Sequence, residues 1–242
     1  MLVPFGSFGA YGPLVAALVV VPITQGVTGL KELGLRIIRW RVRWYWYAVA
    51  LGVPLAVHLA VVGLNVATGA GVPSLTFASL TTFLMVFAIR LVNPTDGPLG
   101  ENPGWQGFAL PGLQGSGYSP LVATLILAPL VSLWHLPLFF WEPGGLRPSV
   151  LVGGLVTTVA ATFFYNWLFN RTGGSVLLVI LAHDLEGSIQ YEIGWIVMGV
   201  WLAVAIGLVV FDWKAWRAPA PTGATIPPRS IPPKGATPAT PA

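Results

Sequence analysis

The chain has 242 residues, of which 55% are hydrophobic and only 8% are charged, and its formal net charge is +4. Soluble proteins carry roughly 25% charged residues, so this composition excludes a soluble globular domain. The sequence contains no cysteine, which excludes a disulfide framework and a cysteine-ligated metal site. Long apolar runs recur from Gly12 to Val210 and predict an all-α, polytopic helical membrane protein.

Seven apolar runs approach the length that crosses a bilayer as a helix, at about 12–30, 45–67, 76–93, 118–141, 149–169, 174–190 and 192–211. An eighth stretch at 99–113 reaches only about 22 Å as a helix, so it is either a short crossing or a re-entrant segment. The sequence therefore predicts seven or eight transmembrane helices. They form one domain at 1–213, with a motif-bearing core at about 97–190.

A basic cluster lies between the first two predicted helices and runs into an aromatic segment at 44–47. Its members are Lys31, Arg36, Arg39, Arg41 and Arg43. Basic residues followed by tryptophan and tyrosine are typical of a cytoplasmic loop at the level of the lipid headgroups. We therefore attribute the positive charge to contact with the lipid bilayer, which is the expected partner, and we expect no nucleic-acid partner.

The C-terminal stretch has a different composition from the rest of the chain. Residues 218–242 contain eight prolines, two basic residues and no acidic residue. Such a segment cannot form a core of its own, so we predict a Pro-rich, disordered tail at 214–242.

Few ionisable residues lie at the predicted membrane depth, where an unpaired charge costs several kcal/mol. They include Glu101, His135 and His183, together with His58, which we interpret as a helix–helix hydrogen-bonding residue. A carboxylate and two imidazoles on separate helices have the groups needed to activate water. Glutamate would be the general base, and the histidines would bind a metal or stabilise an oxyanion. Taken singly, each histidine is also explained by a structural hydrogen bond.

The segments that carry these residues read GPLGENPGWQGFALPGL, LWHLPLFFW and FNRTGGSVLLVILAHDL. Their order, spacing and flanking Gly, Pro and Trp residues resemble the CAAX prenyl protease and bacteriocin-processing (CPBP) family of intramembrane endopeptidases. The resemblance covers about 97–187. It implies that Glu101 activates water, as the first glutamate of the family's EExxxR motif, and that His135 and His183 complete the site.

The resemblance also implies a setting for the protein. The membrane would be the bacterial plasma membrane, and the substrate a peptide or a membrane protein cleaved near the membrane surface. Two forms of the site stay open, one with a divalent metal such as zinc held by His135 and His183, the other a glutamate–histidine site without metal.

The chain departs from the family motifs at 102, 106 and 187. Asn102 stands where a second glutamate is expected, and Gln106 where an arginine is expected. These two positions are one helical turn apart, so an amide pair can replace an ion pair there. Because both charges are removed together, no orphan charge is left at membrane depth.

The third departure is Gly187, which replaces the last asparagine of the HxxxN motif one turn after His183. Glu186 or Gln190 would lie on the same helix face and could substitute for the missing side chain. The alternative interpretation is that the acidic residues here, Asp184 and Glu186, only cap or solvate a helix end.

Two other functions remain open from the sequence. A catalytically silent relative would bind a peptide or bacteriocin and confer immunity, which the three departures favour. A small transporter or proton-relay protein would use Glu101 and the histidines as a proton path.

Overall fold

The computed structural model describes residues 10–72, 79–95, 97–140, 147–189 and 194–226, and all regular structure within these ranges is helical. The long helices are α1 (Gly12–Ile37), α2 (Tyr45–Ala67), α3 (Leu80–Val92), α5 (Pro120–Phe139), α6 (Pro148–Arg171), α7 (Val176–Ser188) and α8 (Trp195–Phe211). Helix α4 comprises Gly97–Gly104, a π-helical turn at Trp105–Ala109 and Leu110–Gly115. A short α9 (Trp213–Arg217) and a 3-10 turn (Thr222–Ala224) follow.

Four helices, α1, α2, α5 and α6, are long and apolar enough to cross a membrane, and α8 is a shorter apolar helix. Large apolar side chains such as Ile23 and Val27 of α1 are exposed, as expected of residues that face lipid. The prediction of an all-α polytopic membrane protein is confirmed. The number of crossings and the cytoplasmic side of the basic cluster stay predictions.

The centre of the domain is built around α6, which is the most buried of the four long helices. It packs against α5 on one side and α8 on the other, and it also contacts α7. Phe164 and Phe169 of α6 and Trp201 of α8 are completely buried in this core. Helices α5 and α7, which carry His135 and His183, thus both contact the helix at the centre of this core.

Helix α4 covers the stretch for which the sequence left a short crossing or a re-entrant segment open. It runs from 97 to 115, which is longer than the predicted 99–113 and corresponds to about 28 Å of helix. It packs against α1, α3 and α7. Gly104 permits this packing, because a Cβ atom there would overlap the backbone carbonyl of Pro13 in α1. A glycine- and proline-rich segment is thus helical because its neighbours enclose it.

The start of the predicted tail is part of the packed domain. The backbone N–H of Ile226 donates to the carbonyl of Pro111 at 2.9 Å, and Nε2 of Gln114 donates to the carbonyl of Ala224 at 2.7 Å. We refer to residues 218–226 as the C-terminal strap. The domain boundary predicted at 213 is therefore too early, and residues 227–242 lie outside the described residues.

Arg36 in the last turn of α1 explains why this polar segment is held. Its guanidinium donates to the carbonyls of Thr225 at 2.9 Å, Gly107 at 3.3 Å and Gly223 at 3.4 Å. The Arg36 side chain is only 7% exposed, so these carbonyls replace the water it has lost. The strap is therefore held by hydrogen bonds from its carbonyls to the buried Arg36 guanidinium. A hydropathy profile cannot predict such contacts, because they join polar groups that are distant in the sequence.

Candidate active site

The carboxylate of Glu101 and the imidazole of His135 meet in the interior. Glu101 lies in the first part of α4 and is 5% exposed. Its Oε2 atom is 3.5 Å from Nε2 of His135 on α5. The other ring nitrogen of His135, Nδ1, lies 2.8 Å from the carbonyl oxygen of Val131. Because a carbonyl only accepts hydrogen bonds, Nδ1 carries a proton and Nε2 is the atom turned towards Glu101.

His183 on α7 approaches the same part of α4 through Asn102. Its Nδ1 atom lies 3.1 Å from Oδ1 of Asn102, and the side-chain amide nitrogen of Asn102 donates to Oε1 of Gln106 at 2.9 Å. Since Oδ1 can only accept, His183 Nδ1 is the donor. In the neutral ring, Nε2 of His183 consequently keeps its lone pair.

The hydrogen bonds continue into α6 and α5. Nε2 of Gln106 donates to Oδ1 of Asn166 at 3.0 Å, and Nδ2 of Asn166 donates to Oγ1 of Thr124 at 3.1 Å. We call the series His183, Asn102, Gln106, Asn166 and Thr124 the amide chain. Its four members beyond the histidine are at most 2% exposed. A buried polar network that satisfies its members fixes their orientation. The two residues that depart from the family motif, Asn102 and Gln106, are thus part of one hydrogen-bond network.

Two residues of this region, Asn166 and Tyr165, were not expected from the sequence. The Tyr165 ring lies 5.2 Å from that of His183, centre to centre, at an interplanar angle of 31°. Its hydroxyl is buried and has no hydrogen-bond partner among the described residues. In the sequence both residues lie within an aromatic run of a membrane helix, where no pattern separates them from core residues.

An ion pair lies beside the second histidine. Nε of Arg90 in α3 donates to Oδ1 of Asp184 at 3.1 Å, and the Asp184 side chain is completely buried. Ser188 donates to the same oxygen at 3.3 Å. The interpretation of Asp184 as a solvating residue at a helix end is therefore wrong, because its charge is neutralised inside the protein. Arg90, which the sequence motifs do not include, is the partner.

The other polar residues of α7 have different outcomes. Glu186 is half-buried, and Gln190 lies outside the described residues, so its supporting role stays a prediction. His58 of α2 is buried, and the backbone of Glu186 lies within its hydrogen-bonding range. This position between α2 and α7 agrees with a helix–helix contact and lies apart from the amide chain.

The two histidines have some, but not all, of the features of a metal site. Both histidines use Nδ1 in hydrogen bonds and keep Nε2 available, which is how metal-binding histidines are commonly oriented. Among the described residues, however, no three His, Asp or Glu side chains are grouped closely enough to hold a metal ion. In this arrangement Glu101, His135 and His183 do not form a complete ligand set, and we derive no step through a metal.

Comparison with known proteins agrees with the motifs. Residues 79–185 match the family model of Rce1-like type II CAAX prenyl endopeptidases. The chain is also 27% identical over 158 residues to a protein named CAAX prenyl protease 2 from Methanococcus maripaludis. That alignment covers 57% of this chain and 54% of the relative, so the chain spans about half the length of the relative.

The matched region contains the helices that form the site. It begins before α3, includes Glu101 and His135, and ends at residue 185, just after His183. Gly187 falls outside it, in agreement with the loss of the last motif residue. Through residues 79–185, the chain is similar to the Rce1-like type II CAAX prenyl endopeptidases, in agreement with the CPBP family that its motifs resemble.

Proposed function

We propose that the protein is an intramembrane endopeptidase that hydrolyses a peptide bond near the membrane surface, with Glu101 as the general base. The observation that carries this proposal is the 3.5 Å separation between Glu101 Oε2 and His135 Nε2 in the protein interior. Two costly polar groups from different helices are placed where they can exchange a proton. The match of residues 79–185 to the Rce1-like family model supports the reaction class.

The proposed reaction uses the chain's own groups. Glu101 takes a proton from water as the water oxygen attacks the scissile carbonyl carbon, and the carbonyl π electrons move to oxygen. His135 Nε2 accepts a hydrogen bond from the protonated carboxyl group and keeps the proton in place. When the tetrahedral intermediate collapses, the C–N bond breaks and this proton passes to the amine leaving group. His183 is held by the amide chain through Asn102, the residue next to Glu101 in the sequence.

The substrate class and the membrane are also proposals. We propose a peptide or a membrane-protein segment as the substrate, since the similar archaeal protein carries the name CAAX prenyl protease 2. The bacterial plasma membrane is supported by the resemblance to short bacterial members of the family. A divalent metal such as zinc, bound through His135 and His183, is the second form of the site to be tested.

The test is cleavage of a library of membrane-anchored peptides by the purified chain in proteoliposomes, with and without a chelator. The library contains prenylated and unprenylated CAAX peptides. Glu101→Gln keeps the shape of the side chain and removes its basicity, so it should abolish cleavage while peptide binding is retained. Glu32→Gln is the matched control, since the Glu32 side chain is 48% exposed and distant in sequence from the motifs.

Each other outcome favours a different function. If the wild-type chain binds peptides and cleaves none, the role in peptide or bacteriocin binding and immunity replaces the proposal. If the chain drives proton-coupled uptake into vesicles and Glu101→Gln abolishes it, the transporter or proton-relay function replaces it. Loss of cleavage in chelator, restored by zinc, would establish the metal form of the site.

A further inference from the structure

The space normally taken by a side chain at position 187 is filled from another helix. A Cβ atom built on Gly187 would lie 2.5 Å from Nη2 of Arg90 and 3.3 Å from its Cζ. Real Cβ atoms do not approach other heavy atoms this closely, so a side chain at 187 and the present guanidinium position exclude each other. The present position of the Arg90 guanidinium therefore requires glycine at 187, where the family motif has an asparagine.

Arg90 is held firmly in this position. Its Nε donates to Asp184, one turn before Ser188, and its side chain is 13% exposed against 0% for Asp184. A buried ion pair requires good geometry, because each charge has lost its water. Arginine has five N–H donors in a planar fork, so it can keep the Asp184 bond and still donate from Nη2.

The guanidinium faces the space next to His183. Measured from a Cβ position built on Gly97, Arg90 Nη2 lies at 3.6 Å and His183 Nε2 at 3.9 Å. Both atoms therefore lie beside the first residue of α4. Gly97 begins α4, one turn before Glu101. Arg90 therefore presents a cationic donor near the second histidine and near the helical turn that leads to Glu101.

The amide chain adds a chemical reason for such a donor. His183 Nδ1 donates to Asn102, so the neutral His183 ring has no proton on Nε2 to give to an oxyanion. The residue at 187 has no side chain to give one either. Acyl transfer develops negative charge on the carbonyl oxygen, and a donor placed at that oxygen in advance contributes strongly to the rate.

We propose that Arg90 is a catalytic residue that donates from Nη2 to the oxyanion of the tetrahedral intermediate, in place of the asparagine of the family motif. This rests on the proposed endopeptidase function. As water oxygen bonds to the carbonyl carbon, the displaced π electrons form an alkoxide that hydrogen-bonds to Arg90. When the alkoxide reforms the carbonyl, the C–N bond breaks and the proton held by Glu101 leaves with the amine. Asp184 positions the guanidinium throughout.

The experiment measures kcat and KM of the full chain on a peptide that the wild type cleaves. Arg90→Gln should lower kcat by about 100- to 1000-fold with little change in KM, because the donor acts on charge that develops only in the transition state. Arg90→Gln also leaves the buried Asp184 without its cation, which can destabilise the fold. Gly187→Ala is therefore the second variant, because it keeps both members of the ion pair. Its new methyl group displaces only the flexible end of Arg90, so thermal stability should be kept while kcat falls by about 10-fold or more.

Two further variants make the interpretation specific. Gly187→Asn displaces the guanidinium and supplies an amide, so its kcat should exceed that of Gly187→Ala by about 10-fold. Gly199→Ala in α8, where nothing lies within 4 Å of the new Cβ, is the control and should keep wild-type kcat.

The outcomes separate this inference from the proposed function. If Glu101→Gln is inactive but Arg90→Gln and Gly187→Ala keep kcat within about threefold of the wild type, Arg90 is not the donor and the endopeptidase proposal stands. If Gly187→Asn is no faster than Gly187→Ala, the replacement of the asparagine by Arg90 is wrong. If the wild type cleaves no peptide, both proposals fail.

Discussion

Asn102 donates a hydrogen bond to Gln106 at 2.9 Å across one turn of α4. The two residues stand where the family motif has a glutamate and an arginine, so a pair of charges has been replaced by a pair of amides. Each amide also binds a second residue, His183 in one case and Asn166 in the other. The local pair therefore connects the second histidine to the core.

This connection predicts that positions 102 and 106 are energetically coupled. Asn102→Glu and Gln106→Arg should each lower thermal stability in detergent, because each leaves one buried charge unpaired. The double variant should lose less free energy of unfolding than the two single variants lose together, by about 1–3 kcal/mol. Unfolding of all four proteins gives the coupling energy. Additive effects would show that the two charges do not pair at these positions.

The direction of the amide chain predicts the tautomer of His183. Nδ1 should carry the proton and Nε2 should be bare near neutral pH, because Asn102 presents its oxygen to Nδ1. Nitrogen-15 NMR of the histidine-labelled chain distinguishes the two ring nitrogens. Comparison with a His183→Gln sample assigns the signals among the three histidines. A protonated Nε2 would mean that the chain runs in the opposite direction, with Asn102 as the donor.

The C-terminal strap should stabilise the domain. A Cβ atom at Gly115 would overlap the carbonyl of Ile226, so Gly115→Ala should displace the strap and leave Arg36 with fewer acceptors. We expect a loss of about 2–4 kcal/mol in stability. Gly112→Ala in the same helical segment is the control, since nothing lies within 4 Å of its new Cβ. Equal unfolding temperatures for the two variants would show that the strap contributes little.

Hydropathy was sufficient to predict most of the fold, and the exceptions have a physical cause. It places the ends of α2 correctly, because apolar residues that face lipid form an unbroken run there. It ends the first helix at 30, whereas α1 continues to Ile37. Arg36 is accommodated in that last turn by carbonyls of α4 and of the strap, which are distant in sequence. Burial of a cation by remote carbonyls leaves no hydropathy signal.

The site was predictable where the motif residues carry costly groups. Glu101, His135 and His183 were selected because charge at membrane depth needs a reason. Glu101 is buried and both histidines are half-buried, while their catalytic roles stay predictions. Arg90 belongs to none of these motifs, and its partner Asp184 is 94 residues away in the sequence. Asp184 follows His183 directly and has no basic residue near it in the sequence. This was the one indication that an arginine from a distant part of the chain approaches the site.

The most direct test of the account is the rate of peptide cleavage by Glu101→Gln relative to the wild type and to Glu32→Gln, measured in single turnover with saturating enzyme. The account predicts that Glu32→Gln matches the wild type, and that Glu101→Gln binds the peptide but cleaves it at least about 100-fold more slowly, as expected for loss of a general base. Cleavage by Glu101→Gln at the wild-type rate would contradict it, because the water would then be activated by another group.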